Sequence, residues 1–128
     1  MLAHAAFLFA LIAPANRADS VRTDRDIRLA ALRHAADVRR CYEREGLARD
    51  PGLTGTLDIT ITVLATGTVR DVVVSSSSMQ GLGAREVAAC VTTAVRNWRF
   101  ERGPFVVETI VLPFRFAPTL ASPDRIIG

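Results

Sequence analysis

Residues 86–100, EVAACVTTAVRNWRF, constrain this chain more than any other stretch. Val87, Cys90, Val91, Ala94 and Trp98 fall at i, i+3, i+4, i+7 and i+11, one apolar stripe of a 3.6-residue helix that runs into an aromatic exit. A helix with a single stripe must lay it on something. The segments on either side alternate apolar and polar residues with period two, so the partner is a sheet and the class is α+β.

The clearest strand opens at Gly55, where Leu57, Ile59, Ile61 and Val63 alternate with Asp58, Thr60 and Thr62, one face in the core and one face wet. Ala65-Thr66-Gly67-Thr68 turns the chain, with Gly67 supplying the positive φ of a tight hairpin. In the returning strand, 69–76, Val72 and Val74 share a face that Val69 does not, and a bulge near Arg70-Asp71 reconciles them. Ser75 to Ser78 and the Met79-Gln80-Gly81-Leu82-Gly83 run read as a loop. A last strand spans 105–116, with Val106, Ile110, Leu112, Phe114 and Phe116 on one parity and Val107, Thr109, Val111, Pro113 and Arg115 on the other. Pro113 cannot donate to a ladder, which places this strand at a sheet edge.

Ahead of the hairpin, Thr23 with Asp26 three residues on reads as a capping box. The helix that follows carries Ile27, Ala31, His34 or Ala35, Val38, Cys41 and Tyr42 inward, and Gly46 is its expected stop before the Asp50-Pro51-Gly52 turn. The expected order is α-β-β-α-β: a three-stranded antiparallel sheet, order 2-1-3, with a right-handed crossover and two helices covering one face.

The chain's 128 residues make one domain with an apolar fraction of 49%. Its 16 basic residues are all arginine against 13 acids, and the pI is 9.6. These charges are interleaved, not clustered. Arg33, Arg39, Arg40, Arg44 and Arg49 sit among Asp37, Glu43 and Glu45 at pairing distances, as on a solvated helix face. The aromatics Trp98, Phe100, Phe114 and Phe116 follow core parity instead of forming a stacking surface, so nucleic acid is not expected as a partner.

Residues 1–15, MLAHAAFLFALIAPA, are apolar and end in the small-x-small pattern Ala13-Pro14-Ala15, and they read as a secretory signal too short to span a bilayer. The first four residues lack Lys and Arg, so a start further upstream that turns the signal into an anchor stays open. Residues 16–22 read as a flexible N-terminus, 23–116 as the domain and 117–128 as a disordered tail. In an exported chain Cys41 and Cys90, on two helices, suggest one disulfide. Two buried reduced thiols are the alternative in a cytosolic one. Such a closure is worth on the order of 4 kcal/mol in the loop-entropy account.

Catalytic constellations are sparse. Beyond the signal His34 stands alone, in or beside a core stripe. No nucleophile elbow surrounds the serines at 75–78, and the spacing of Cys41, Cys90 and His34 is not that of a zinc site. The reading is of no enzyme, no cofactor and no metal.

Taken together, Cys41-Tyr42-Glu43, Pro51-x-Leu53-x-Gly55, Gly67-x-Val69, the serine-ended strand at Ser77, Cys90-Val91, Trp98-Arg99-Phe100 and Pro113-Phe114-x-Phe116 resemble the AgmX/PglI C-terminal domain family. That family is similar to the C-terminal domain of TonB energy transducers. The resemblance covers about 27–116 and rests on the order and spacing of the whole set. It maps two family cysteines onto Cys41 and Cys90. It implies a periplasmic protein-interaction module of the Gram-negative envelope, serving motility-machine assembly or transport coupling. It also implies that an envelope protein or peptide strand adds to a sheet edge, here the outer parity of the last strand: Val107, Thr109, Val111 and Arg115. TonB-type transducers also carry a membrane helix and a Pro-rich spacer. Here a signal leads almost straight into the domain, and the alternative is a truncated TonB-like transducer whose anchor and spacer are missing from this chain.

Overall fold

The structure, a computed structural model, describes residues 22–103 and 107–118. The expected signal, most of the expected N-terminal segment and most of the expected tail lie outside these residues, as does Val106. The elements, in order, are α1 (Asp24–Arg33), α2 (Ala35–Cys41), a π-helical turn (Tyr42–Leu47), β1 (Gly55–Leu64), β2 (Val69–Ser77), α3 (Ala84–Arg96) and β3 (Val107–Phe116).

All three strands pair antiparallel in the order β2-β1-β3, as the sequence pattern implies. Leu57, Ile59, Ile61 and Val63 of β1 are fully buried and join one core with the helices. The opposite face of β1, from Thr56 to Thr62, is half-buried or exposed. The helices therefore occupy a single face of the sheet.

The first helix differs from its expected form. It is broken at His34 (φ −109°, ψ 9°), which ends α1 and begins α2. At the break the His34 ring stacks on the indole of Trp98, centroids 5.0 Å apart and planes 14° from parallel. The Thr23–Asp26 capping box forms in both directions.

Gly46 is not a stop. It is buried within the π-helical turn, and a Cβ there would lie 2.7 Å from Val87 Cγ2 and 2.8 Å from Leu53 Cδ2. Its lack of a side chain lets this turn close onto α3. Gly67, by contrast, has the expected positive φ of 91°. Any Cβ there would lie 2.0 Å from the Phe100 carbonyl oxygen, since Phe100 N–H donates to Gly67 O at 2.9 Å. The hairpin tip is thus clamped by the segment leaving α3.

In α3 the buried line is Val87, Val91, Val95 and Trp98, with Cys90 and Ala94 only half-buried beside it. The expected stripe had the right face but was centred one position to its side.

β2 carries the expected bulge. Thr62 faces Asp71 and Val63 faces Val69, leaving Arg70 without a partner. A second irregularity, which the valine pattern does not signal, leaves Ser75 unpaired between Val74 and Ser76. The strand runs to Ser77, one residue past the expected end at 76, so of the four serines only Ser78 is left to the loop.

Candidate functional site

The sheet has two edges, and the hydrogen bonds of β1 determine what each offers. Along an antiparallel strand the N–H and C=O of one residue point to the same neighbour, and successive residues point to opposite sides. Ser78 N–H donates to Thr56 O at 3.0 Å, and Leu64 N–H donates to Thr68 O at 2.9 Å. Ser75 Oγ donates to Asp58 O at 3.1 Å. The even-numbered residues of β1 therefore address β2, and the odd-numbered ones address β3.

Leu57, Ile59, Ile61 and Val63 stand opposite Phe114, Leu112, Ile110 and Glu108, so the even-numbered residues of β3 spend their backbone groups on β1. Thr54 Oγ1 donates to Phe116 O at 3.0 Å at the end of that row. Val107, Thr109, Val111, Pro113 and Arg115 are left with backbone groups directed away from the sheet. Pro113 sits where its missing N–H belongs to the free edge, and it costs the ladder nothing. The register of β3 on β1 is unbroken over ten pairs, from Gly55–Phe116 to Leu64–Val107.

Side chains of the same five residues lie on the face away from the helices, with Val107 42% and Val111 41% exposed. Thr60 lies between Val111 on one side and Val73 on the other, so a row of β-branched side chains crosses the outer face. The structure thus brings Val107, Thr109, Val111 and Arg115 together on one edge and one face.

A buried ion pair, which the sequence reading missed, lies at the start of this edge. Arg22 and Glu108 are 2% and 5% exposed. Arg22 Nη1 meets Glu108 Oε1 at 2.6 Å, and its backbone N–H donates to Oε2 at 2.9 Å. The guanidinium also donates to Glu101 O and Leu64 O, both at 2.9 Å. Each of the three guanidinium nitrogens has a partner, and such added hydrogen bonds help a buried charge pair to be tolerated. Arg22, expected at the end of a loose segment, is instead fixed to β3. The available signal was Glu108 itself, a carboxylate at an inward parity position between apolar neighbours.

His34 is half-buried, with Nδ1 3.8 Å from Asp37 Oδ2. Burial lowers its pKa from 6.5; Asp37 acts in the opposite direction and Arg33 reinforces the shift. Tyr42 donates its hydroxyl to Leu53 O, and burial, aided by the Asp50 charge, pushes its pKa up to about 12. Both rings serve packing. Among the described residues, no cluster of three or more His, Cys, Asp or Glu is placed to hold a metal ion. No described helix is long and apolar enough to cross a membrane.

Cys41 and Cys90 are joined in a disulfide, Cα atoms 5.5 Å apart, between the end of α2 and the middle of α3. It forms part of the wall of an open cavity of about 600 Å³ between these helices, lined also by Arg40, Arg44, Glu86 and Asn97.

One solved structure shares this architecture. An NMR solution structure of Helicobacter pylori TonB-CTD superposes with a TM-score of 0.51 at 14% identity, over 75% of this chain and 83% of that one. A shorter form of the same TonB-CTD gives a TM-score of 0.46 at 14% identity, over 71% of this chain and 96% of that one. No curated protein matches the chain. The family model described as Gram-negative bacterial TonB protein C-terminal matches residues 46–118, from within the π-helical turn through the end of β3. The chain belongs to the TonB C-terminal family.

Proposed function

We propose that this chain is a non-enzymatic, periplasmic interaction module of the Gram-negative envelope, and that it takes an extended segment of a partner protein as a fourth strand beside β3. The partner's backbone pairs with the outward groups of Val107, Thr109, Val111 and Arg115, and its alternate side chains lie over the Val111–Thr60–Val73 row. The observation carrying this reading is the edge itself: an unbulged strand whose odd-numbered residues have no strand partner on their outer side among the described residues. Family membership supports it. Within the family we assign the chain to the AgmX/PglI type, on its paired cysteines and the order of its motifs. The functional unit is 23–116, with 1–15 a secretory signal and 117–128 a tail.

Val111→Pro tests this reading. It removes an outward N–H and no ladder bond, so the fold is expected to survive with a loss of about 1 kcal/mol or less. Leu112→Pro removes an N–H aimed at Ile59 together with a fully buried side chain, and it is expected to cost upwards of about 3 kcal/mol more. A photo-cross-linker at Thr109, used in the native envelope, is expected to capture a partner that Val111→Pro abolishes. Capture persisting at full yield in a folded Val111→Pro chain would refute edge pairing at β3.

A further inference from the structure

The two cysteines of the Cys41–Cys90 disulfide differ in burial. Cys41 is 3% exposed, whereas Cys90 is half-buried, on the side of α3 that borders the open cavity. Thiol–disulfide exchange requires an in-line approach to one sulfur and a stabilised leaving thiolate at the other. Both cysteines border the cavity, and Cys90 is the less buried of the two, which favours it as the sulfur attacked. The departing sulfur is then Cys41, flanked in sequence by Arg40 and Arg44, and both arginines line the same cavity. Arg40 is paired with Asp37. Arg44 has no ion-pair partner among the described residues, which leaves its charge available to a thiolate.

The geometry points to this cavity as the docking site of a dithiol oxidoreductase, a partner with two redox-active cysteines, and to Cys90 as the sulfur it engages. The thiolate of the partner attacks Cys90 Sγ. A bond forms between the two sulfurs as the Cys41–Cys90 bond breaks, and Cys41 departs as a thiolate that takes a proton from water. The partner's second thiol, deprotonated, then attacks its own sulfur in the mixed disulfide and releases Cys90 as a thiolate, which is protonated. Two electrons have passed from the partner, now a disulfide, to this chain, now a dithiol. The reverse sequence installs the bond through the same Cys90-linked intermediate. This assignment does not depend on the β3 reading.

The test uses the oxidised full chain and a thioredoxin-type dithiol protein whose resolving cysteine is replaced by serine, so that the mixed disulfide is trapped. Under native conditions, peptide mass mapping is expected to place the adduct on Cys90 at least tenfold over Cys41. Adduct formation is expected to outpace global unfolding measured in the same buffer. Arg44→Gln is expected to slow adduct formation severalfold without moving the thermal midpoint, and Arg44→Lys to restore most of the rate. An adduct on Cys41 or on both sulfurs equally, or a rate equal to that of unfolding, overturns the proposal. A rate unchanged in Arg44→Gln overturns the part given to the arginine.

Discussion

β2 and β3 flank the same central strand, and both present valine to solvent, Val73 at 58% and Val111 at 41% exposure. They nevertheless make opposite edges. β2 is interrupted at Arg70 and again at Ser75, and each extra residue bends the strand and breaks the spacing a new strand would need. β3 keeps one register from end to end. Its single blunting device is Pro113, which removes one outward donor and leaves the Val107, Thr109 and Val111 groups in an uninterrupted row. Openness at a sheet edge is therefore set by backbone continuity and not by how apolar the strand is. The same comparison explains why β2 can carry Val73 and Val74 on its surface: two bulges already guard them.

The largest expected effect tests what keeps β3 straight. Its first residues are tied inward through Glu108 to Arg22. Glu108→Gln keeps the shape but leaves the Arg22 charge buried and uncompensated, and it should cost about 3–5 kcal/mol in denaturant unfolding. Amides at the start of β3 are expected to lose exchange protection before those of β2. The double replacement Arg22→Met with Glu108→Met is expected to recover part of the stability, since a matched apolar pair removes the uncompensated charge but leaves Arg22 N–H, Glu101 O and Leu64 O without the partners they had. A loss below about 1 kcal/mol in Glu108→Gln would mean that the pair is hydrated in solution, and the straightness of β3 would then need another cause.

A second, intermediate effect concerns association more than stability. Deleting Arg70 leaves Val69, Asp71 and Val72 in regular alternation and removes one of the two guards. The chain is expected to stay folded and to gain concentration-dependent self-association in sedimentation velocity, reversed by adding Val73→Lys. If the deletion leaves a monomer at concentrations where the parent chain is monomeric, the Arg70 bulge is not what closes the β2 edge.

Much of this was legible in the residues. The period-two alternation of β1 fixes its two faces, Pro113 marks an edge, and the parity conflict between Val69 and Val72 places a bulge at Arg70. Three features were not, and each involves a contact distant in the chain. Ser75 bulges without any apolar residue changing face, so no pattern records it. Gly46 has the composition of a helix stop but is buried against Val87 of α3 and Leu53 of the loop before β1. His34 has an unbroken helical pattern around it, yet the helix breaks there, where its ring meets that of Trp98, more than sixty residues away. The site was legible as a parity class, but which backbone groups of β3 are free follows only from the hydrogen bonds of β1.

The smallest effect links that helix break to the two edges. His34 stacks on Trp98, and Trp98 meets Phe114 of β3 edge-on with centroids 6.1 Å apart, whereas β2 has no part in this chain of rings. Burial holds the His34 pKa below 6.5 in the folded state, so the unfolded chain binds more protons as pH falls through that value. Stability from His34 is therefore complete above 6.5 and is lost as pH drops from there through the folded pKa. The thermal midpoint of the native chain is expected to fall more between pH 7 and pH 5 than that of His34→Gln, which cannot titrate. If the ring chain carries the strain, the Phe114 amide loses more protection on acidification than the Val73 amide, although both strands hang from β1. Equal losses at Phe114 and Val73 would show that the helix layer supports the two edges alike, and the difference between them would then reside wholly in the strands.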